Sequence, residues 1–229
     1  YIPNYVKYDW KKKKIALDET ASKYRRDFIK NKTHKNTYII IYGKYSAHLG
    51  KKLEPDGITF RYINPISLFD PKNIDLSFDD KKRLLKEKFK ETLIDLSKDK
   101  KIILLYPTPV SPEHIFRRVL NIKRKSNVLI NPDFEKLKKN PDAHLSDRIN
   151  YPVKVYRDFF SEEINLFDSI NSKNIYKIKL EKTFCPENRC YFYDNKNIYI
   201  YDTHHPSYEG SKKINNLIMK EINKSSEVN

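Results

Sequence analysis

Long apolar runs, cysteine and glycine are scarce in this sequence, and acidic residues are outnumbered by basic ones. No stretch approaches the roughly 18 consecutive apolar residues of a membrane-spanning helix. No signal-peptide pattern opens the chain, and a start at Tyr1 rather than Met leads us to expect a fragment or a processed form. There are two cysteines, Cys185 and Cys190, in Phe-Cys-Pro-Glu-Asn-Arg-Cys. Zinc would need two further ligands at compatible spacing, and none stands nearby in sequence. As the only pair, beside a Pro-Glu-Asn turn, they favour a local disulfide and an oxidising compartment over two free thiols in a cytosolic loop. Asp and Glu number 30 against 46 Lys and Arg, a net charge of +16. Such a balance points first to nucleic acid. Yet only 10 of the basic residues are Arg, the better bidentate phosphate reader, against 36 Lys. Abundant Lys, Asn, Ile and Tyr are what AT-rich coding produces, and no RNP, zinc-finger or helix-turn-helix signature appears. A nucleic-acid partner is therefore disfavoured.

What is present is enough to fold. Hydrophobic residues make up 38% of 229, with a generous 13% aromatic, and the mean hydropathy is −0.78. That suits one sizeable domain. Residues 1–36 are polar and basic and read as an extension or linker, with a helix predicted from Leu17 to Ile29. The domain itself is expected over 37–229. Thr37–Tyr42 and Lys101–Tyr106 are continuous apolar β-type runs, which suggests strands buried on both faces of a parallel sheet. Ile58–Ile63 and Asn174–Ile178 are further strands. Phe78–Leu96 is an amphipathic helix, with Leu84, Leu85, Phe89, Leu93 and Leu96 on one face and Asp79 and Asp80 well placed in its first turn. Ser46–Leu49 starts a helix, and Val153–Ile170 and Ser207–Ile222 are others. Residues 121–150 read as loop. Cys190–Tyr193 and Asn197–Tyr201 flank a hairpin turn. Alternating strands and helices predict an α/β domain with a mainly parallel sheet, whose chemistry collects at the carboxyl ends of the strands. Gly43, Pro107 and Asp202 stand at such ends.

The most informative stretch is Tyr201-Asp-Thr-His-His-Pro-Ser-Tyr-Glu-Gly210. A β-prone run ends at a carboxylate, a histidine follows three residues later, and a Ser/Glu/Gly turn opens a helix. Asp and His on one short loop is how a hydrolase orients an imidazole toward a nucleophile. A helix N-cap region that happens to hold histidines is the plainer reading. The stretch resembles the Asp-x-x-His-Leu-Ser-x-x-Gly block of SGNH-type hydrolases. More narrowly, it is similar to the SGNH-like domain fused behind the membrane part of acyltransferase-three family enzymes, which modify cell-surface glycans. Phe184-Cys185 and Cys190 resemble that domain's paired cysteines. Lys101–Pro109 resembles its apolar strand ending in Pro-x-Pro. Tyr38–Leu49 sits where its first block, a strand followed by Gly-Asp-Ser, belongs.

The resemblance covers roughly residues 37–225. It implies a flavodoxin-like three-layer α/β/α fold with a mainly parallel sheet, and acyl transfer, usually of acetyl, to a sugar hydroxyl through a serine ester. His205 would be the general base and Asp202 its partner. No metal or dissociable cofactor is expected. A glycan acceptor, an acyl donor and a membrane acyltransferase domain of the same polypeptide are the implied partners, at the periplasmic or extracytoplasmic face of the membrane. The first block departs from the pattern. With Gly43 aligned, Lys44 replaces the family's Asp and Tyr45 its serine, while Ser46 falls one residue further on. One step along a helix rotates a side chain by about 100°. Three readings are open. Ser46 is a shifted nucleophile, the domain has lost its nucleophile and persists as a glycan-binding or docking module, or Tyr45 or another serine takes over. With only four glycines, the family's oxyanion contributors are not placed, and Asn64 is no more than a polar group after the second strand. His114 reads as surface. His34 and His48 lack metal-like partners in sequence, and His144 in Asp142–Asp147 is a decoy with no strand before it.

Overall fold

The computed structural model describes residues 6–9, 14–17, 27–34, 37–43, 45–49, 51–55, 59–62, 77–126, 150–194 and 196–226. Lys44, Asn64 and His144 lie outside these. The chain divides into two compact units. One is drawn from Tyr1–Lys51, Tyr62–Leu104 and Asn165–Lys177, the other from Lys52–Arg61, Leu105–Ile164 and Ile178–Asn229.

The first unit holds an antiparallel pair, β1 (Val6–Asp9) with β2 (Lys14–Leu17). Of the helix expected from Leu17 to Ile29, Leu17 ends β2, residues 18–26 lie outside the described residues, and residues 27–31 are helical. The main sheet has the order β3 (Tyr38–Ile41), β6 (Lys101–Leu105), β7 (Ile175–Ile178). β3 and β6 run parallel, Tyr38 opposite Lys101 and Ile41 opposite Leu104. Central β6 is as buried as its apolar run predicts, with Ile102, Ile103 and Leu104 fully enclosed. β3 is not. Among the described residues it is an edge strand, and Ile40 is 50% exposed. A continuous apolar run does not reveal whether a neighbour will cover it.

The one-turn helix α1 (Tyr45–His48) comes after β3. Helix α2 (Phe78–Leu96) has the predicted bounds, because its signals are local. The Ser77 hydroxyl accepts from the Asp80 N–H and caps it, Asp79 and Asp80 occupy the first turn, and Leu85, Leu93 and Leu96 are buried. The Tyr45 ring meets Phe167 edge-on at 4.8 Å and Phe89 at 6.0 Å.

In the second unit lie the short strands β4 (Lys51–Leu53, from its second residue) and β5 (Phe60–Tyr62, up to Arg61). Residues 121–126, expected as loop, belong to helix α3 (Ile115–Ser126). Its buried anchors, Ile115 and Val119, make too short a periodic signal to announce it. The single helix predicted over 153–170 is broken into α4 (Val153–Phe159) and α5 (Ser161–Asp168). At the break the Ser161 hydroxyl donates to the Asp158 carbonyl at 2.9 Å, a side-chain bond that competes with helix continuation. Tyr156 Oη donates to the Pro107 carbonyl at 2.8 Å and Tyr151 Oη to that of Val110 at 2.9 Å, so two buried phenols hold the segment after β6.

Past the short helix α6 (Glu181–Phe184), Cys185 and Cys190 form the expected disulfide. Asn150 and Tyr151 anchor the chain from Cys190 to Phe192. Cys190 N–H donates to the Tyr151 carbonyl at 2.8 Å, and Phe192 N–H to Asn150 Oδ1 at 3.0 Å. The predicted hairpin turn is present, with the Lys196 and Asn197 N–H groups both on Asp194 Oδ1 at 2.7 Å. Its two strands are not. Among the described residues one bridge forms there, Tyr193 to Ile198, because the Tyr199 and Ile200 N–H groups share one acceptor, the Phe192 carbonyl. Two residues against one is a bulge, and it ends the ladder. Helix α7 (Tyr208–Ser226) closes the chain. Among the described residues, no helix is long and apolar enough to cross a membrane.

Candidate functional site

The loop Tyr201–Pro206 is a tight turn closed on itself and clamped from one side. Tyr201 N–H donates to the His205 carbonyl at 2.8 Å, and Ile200 bridges Pro206. On the other side the segment leading into α3 runs against it. Ser111 N–H donates to the Thr203 carbonyl at 2.7 Å, Ile115 N–H to that of Asp202 at 3.2 Å, and Phe116 N–H to that of Tyr201 at 2.9 Å. The Phe116 ring stacks on Tyr201 at 5.2 Å. Ser207 then caps α7, its hydroxyl accepting from the Gly210 N–H at 3.1 Å.

This frame fixes a carboxylate and an imidazole. Asp202 Oδ1 accepts from the His204 and His205 N–H groups, each at 2.8 Å. Its other oxygen, Oδ2, lies 2.6 Å from His205 Nδ1. A carboxylate on Nδ1 favours the proton there, and in the neutral imidazole of that tautomer the lone pair is on Nε2. The His205 side chain is 67% exposed, which leaves Nε2 the ring nitrogen free to act. Burial alone would raise the Asp202 carboxyl. The His205 ring and the two backbone N–H groups outweigh it and hold the group well below the usual carboxylate range. The dyad therefore stays charged on its acid side through any physiological pH.

A carboxyl whose folded value is depressed stabilises the fold above its ordinary pKa, 3.8, and that stabilisation is lost as pH falls through the lower folded value. In a carbon-13 titration, the Asp202 carboxyl should show a midpoint below 3.8 that moves back up in His205→Ala. A midpoint at or above 3.8 in the unsubstituted chain would remove the charge-holding role.

Ser46, the third expected site residue, lies in the first unit, in α1, and is 1% exposed. Asp202 and His205 are brought together, and both belong to the second unit. Tyr45, at the position of the family's serine, is a packing residue. Its hydroxyl donates to the Ile41 carbonyl at 3.1 Å, and burial, helped by Tyr42, pushes the phenol far above its ordinary range. A phenol so held does not supply a phenolate nucleophile.

His114 corrects a reading from sequence. It is not a surface residue but is half-buried, its ring 5.5 Å from Tyr201. Its Nδ1 finds no hydrogen-bond partner among the described residues. The whole clamp Ser111–Phe116 escaped the sequence, since it acts through main-chain N–H groups that any residue carries. The one local hint was the Pro107–Pro109 stop before it.

The parallel sheet and the Asp-x-x-His turn define an α/β domain of the SGNH hydrolase type. The chain belongs to the SGNH domain family, fused to AT3 domains, whose family model matches residues 5–220. It is thus an acyltransferase-associated SGNH module. No curated protein and no solved structure matches it.

Proposed function

We propose that this chain is the extracytoplasmic domain of a membrane-bound glycan O-acyltransferase, and that it passes an acyl group, acetyl in the usual case, to a sugar hydroxyl. The 2.6 Å contact between His205 Nδ1 and Asp202 Oδ2 carries the reading, because it prepares Nε2 as a base. In the proposed cycle Nε2 takes the Ser46 Oγ proton as Oγ attacks the acyl carbonyl, then returns it to the leaving group. The acceptor hydroxyl loses its proton to Nε2 in turn and attacks the serine ester, and the departing Ser46 Oγ takes that proton back. Asp202 stabilises the imidazolium formed in each half. The Cys185–Cys190 disulfide supports an oxidising compartment, and the family's fusion to AT3 domains supports a membrane acyltransferase domain as the source of the acyl group.

The burial of Ser46 and the locking of Tyr45 favour a second reading, in which the serine ester is lost and the module binds glycan or docks on the membrane domain. Incubation with p-nitrophenyl acetate, an acid quench and peptide mass spectrometry separate the two. The first reading expects an acetyl group on the Ser46 peptide that disappears in Ser46→Ala. An adduct on another serine moves the nucleophile. No adduct at all leaves the binding module.

A further inference from the structure

Beside the dyad stands a histidine that the acyl-transfer scheme does not use. His204 Nδ1 lies 3.8 Å from Asp202 Oδ1, and the His204 and His205 ring centroids are 3.9 Å apart. One ligand atom from each of Asp202, His204 and His205 can be chosen so that all lie within 4.8 Å of one another. The His204 and Asp202 side chains are 23% and 24% exposed and that of His205 67%, so the cluster opens to solvent on one side. We propose that Asp202, His204 and His205 form a binding site for a divalent transition-metal ion of zinc type, with water in the open fourth position.

The dimensions suit such an ion. Zinc holds nitrogen and oxygen ligands at about 2.0–2.1 Å in a tetrahedron, whose edges are then about 3.4 Å. The 2.6 Å contact is made by Asp202 Oδ2 and the 3.8 Å contact by Oδ1, and with one ligand atom per residue all separations stay within 4.8 Å, so closing on an ion moves a pair by at most about 1.4 Å. The frame limits larger shifts, since Asp202 Oδ1 holds the His204 and His205 N–H groups and Ser111, Ile115 and Phe116 hold the loop's carbonyls. The donor set decides the class of ion. Two imidazoles and one carboxylate select zinc, nickel or copper, whereas magnesium and calcium require mostly oxygen ligands. Binding has a local cost, because His204 Nδ1 gives up its 2.8 Å contact with Thr203 Oγ1. It also has a consequence for the dyad. An ion on Asp202 and His205 Nδ1 takes the place of their hydrogen bond, so the loaded site and the prepared base exclude one another. The site would then switch the loop off, with the ion as a reversible inhibitor rather than a reactant.

The site stands apart from the acyl-transfer reading and is tested without it. Zinc chloride is titrated into the chain by calorimetry, alongside His204→Ala, Asp202→Asn and His114→Ala. We expect saturable binding of one ion per site, weakened at least about tenfold by His204→Ala or Asp202→Asn and unchanged by His114→Ala. Magnesium should give no heat. Thermal melts of each variant without metal establish that it folds, and zinc should raise the melting temperature of the unsubstituted chain but not of His204→Ala. Absence of saturable binding overturns the proposal. So does binding that His204→Ala leaves intact, or that His114→Ala removes, and so does an equal response to magnesium.

Discussion

His205→Ala should reduce ester hydrolysis and acyl transfer by about 10³-fold, almost entirely in kcat. The side chain is two-thirds exposed and fills no core space, so the fold should survive its removal. What disappears is the ring nitrogen opposite the one that the Asp202 carboxylate holds. His204 does not replace it, since its Nδ1 is held by Thr203 Oγ1 and lies 3.8 Å from Asp202 Oδ1. Asp202→Asn is the sharper companion. An amide that donates to His205 Nδ1 moves the ring proton to Nε2, and a protonated Nε2 cannot accept from a hydroxyl. We expect a loss of about 10²-fold or more with the fold again intact. The measurement is p-nitrophenyl acetate hydrolysis with a circular-dichroism spectrum of each variant. Full activity in a folded His205→Ala chain would end the base assignment.

Gly210→Ala should destabilise the protein by about 3 kcal/mol, although helix propensity alone predicts a gain of about 1 kcal/mol. Gly210 sits in the first turn of α7, and a Cβ there would lie 2.0 Å from the Tyr199 carbonyl oxygen and 3.0 Å from its carbon. Those are main-chain atoms that cannot swing aside. The Tyr199 carbonyl accepts from Ser207 N–H at 2.9 Å, and the Gly210 N–H is held by Ser207 Oγ. Relief of the clash must pull α7 from the base of the His205 turn, so activity should fall together with stability. For a chain of this size the melting temperature should drop by roughly 6–12 °C. Tyr208→Ala, two positions earlier and 79% exposed, is the control and should stay within about 0.5 kcal/mol. A melting temperature for Gly210→Ala at or above that of the unsubstituted chain would show that the contact is not limiting.

These two residues differ in how readable they were. His205 is legible because its partner is three positions away, and a loop that short leaves the carboxylate few other places to go. Gly210 is visible in sequence only as part of a motif. The reason it must be glycine, a carbonyl eleven residues earlier, is a tertiary contact. The same division runs through the fold. Ser77, Asp79 and Asp80 announce the start of α2 because capping is local, and β6 declares itself by an apolar run that is in fact enclosed. β3 carries an equally apolar run and is an edge strand with Ile40 half exposed. The helix pair broken at Phe160 turns on one side-chain bond, and the hairpin halted at Phe192 on two N–H groups sharing one carbonyl, neither of which periodicity registers.

By itself the sequence determined the α/β class, the disulfide pair and the Asp202–His205 couple, since each is encoded over a few neighbouring residues or in the alternation of elements. Only the tertiary structure decided that Tyr45 is a packed phenol bonded to the Ile41 carbonyl, that Ser46 is enclosed, and that His204 stands against the dyad. It also assigned the holding of the loop to Ser111, Ile115 and Phe116. Those outcomes depend on which main-chain groups and rings meet across the chain, and burial and main-chain hydrogen bonding of that kind are not written in any one residue's identity.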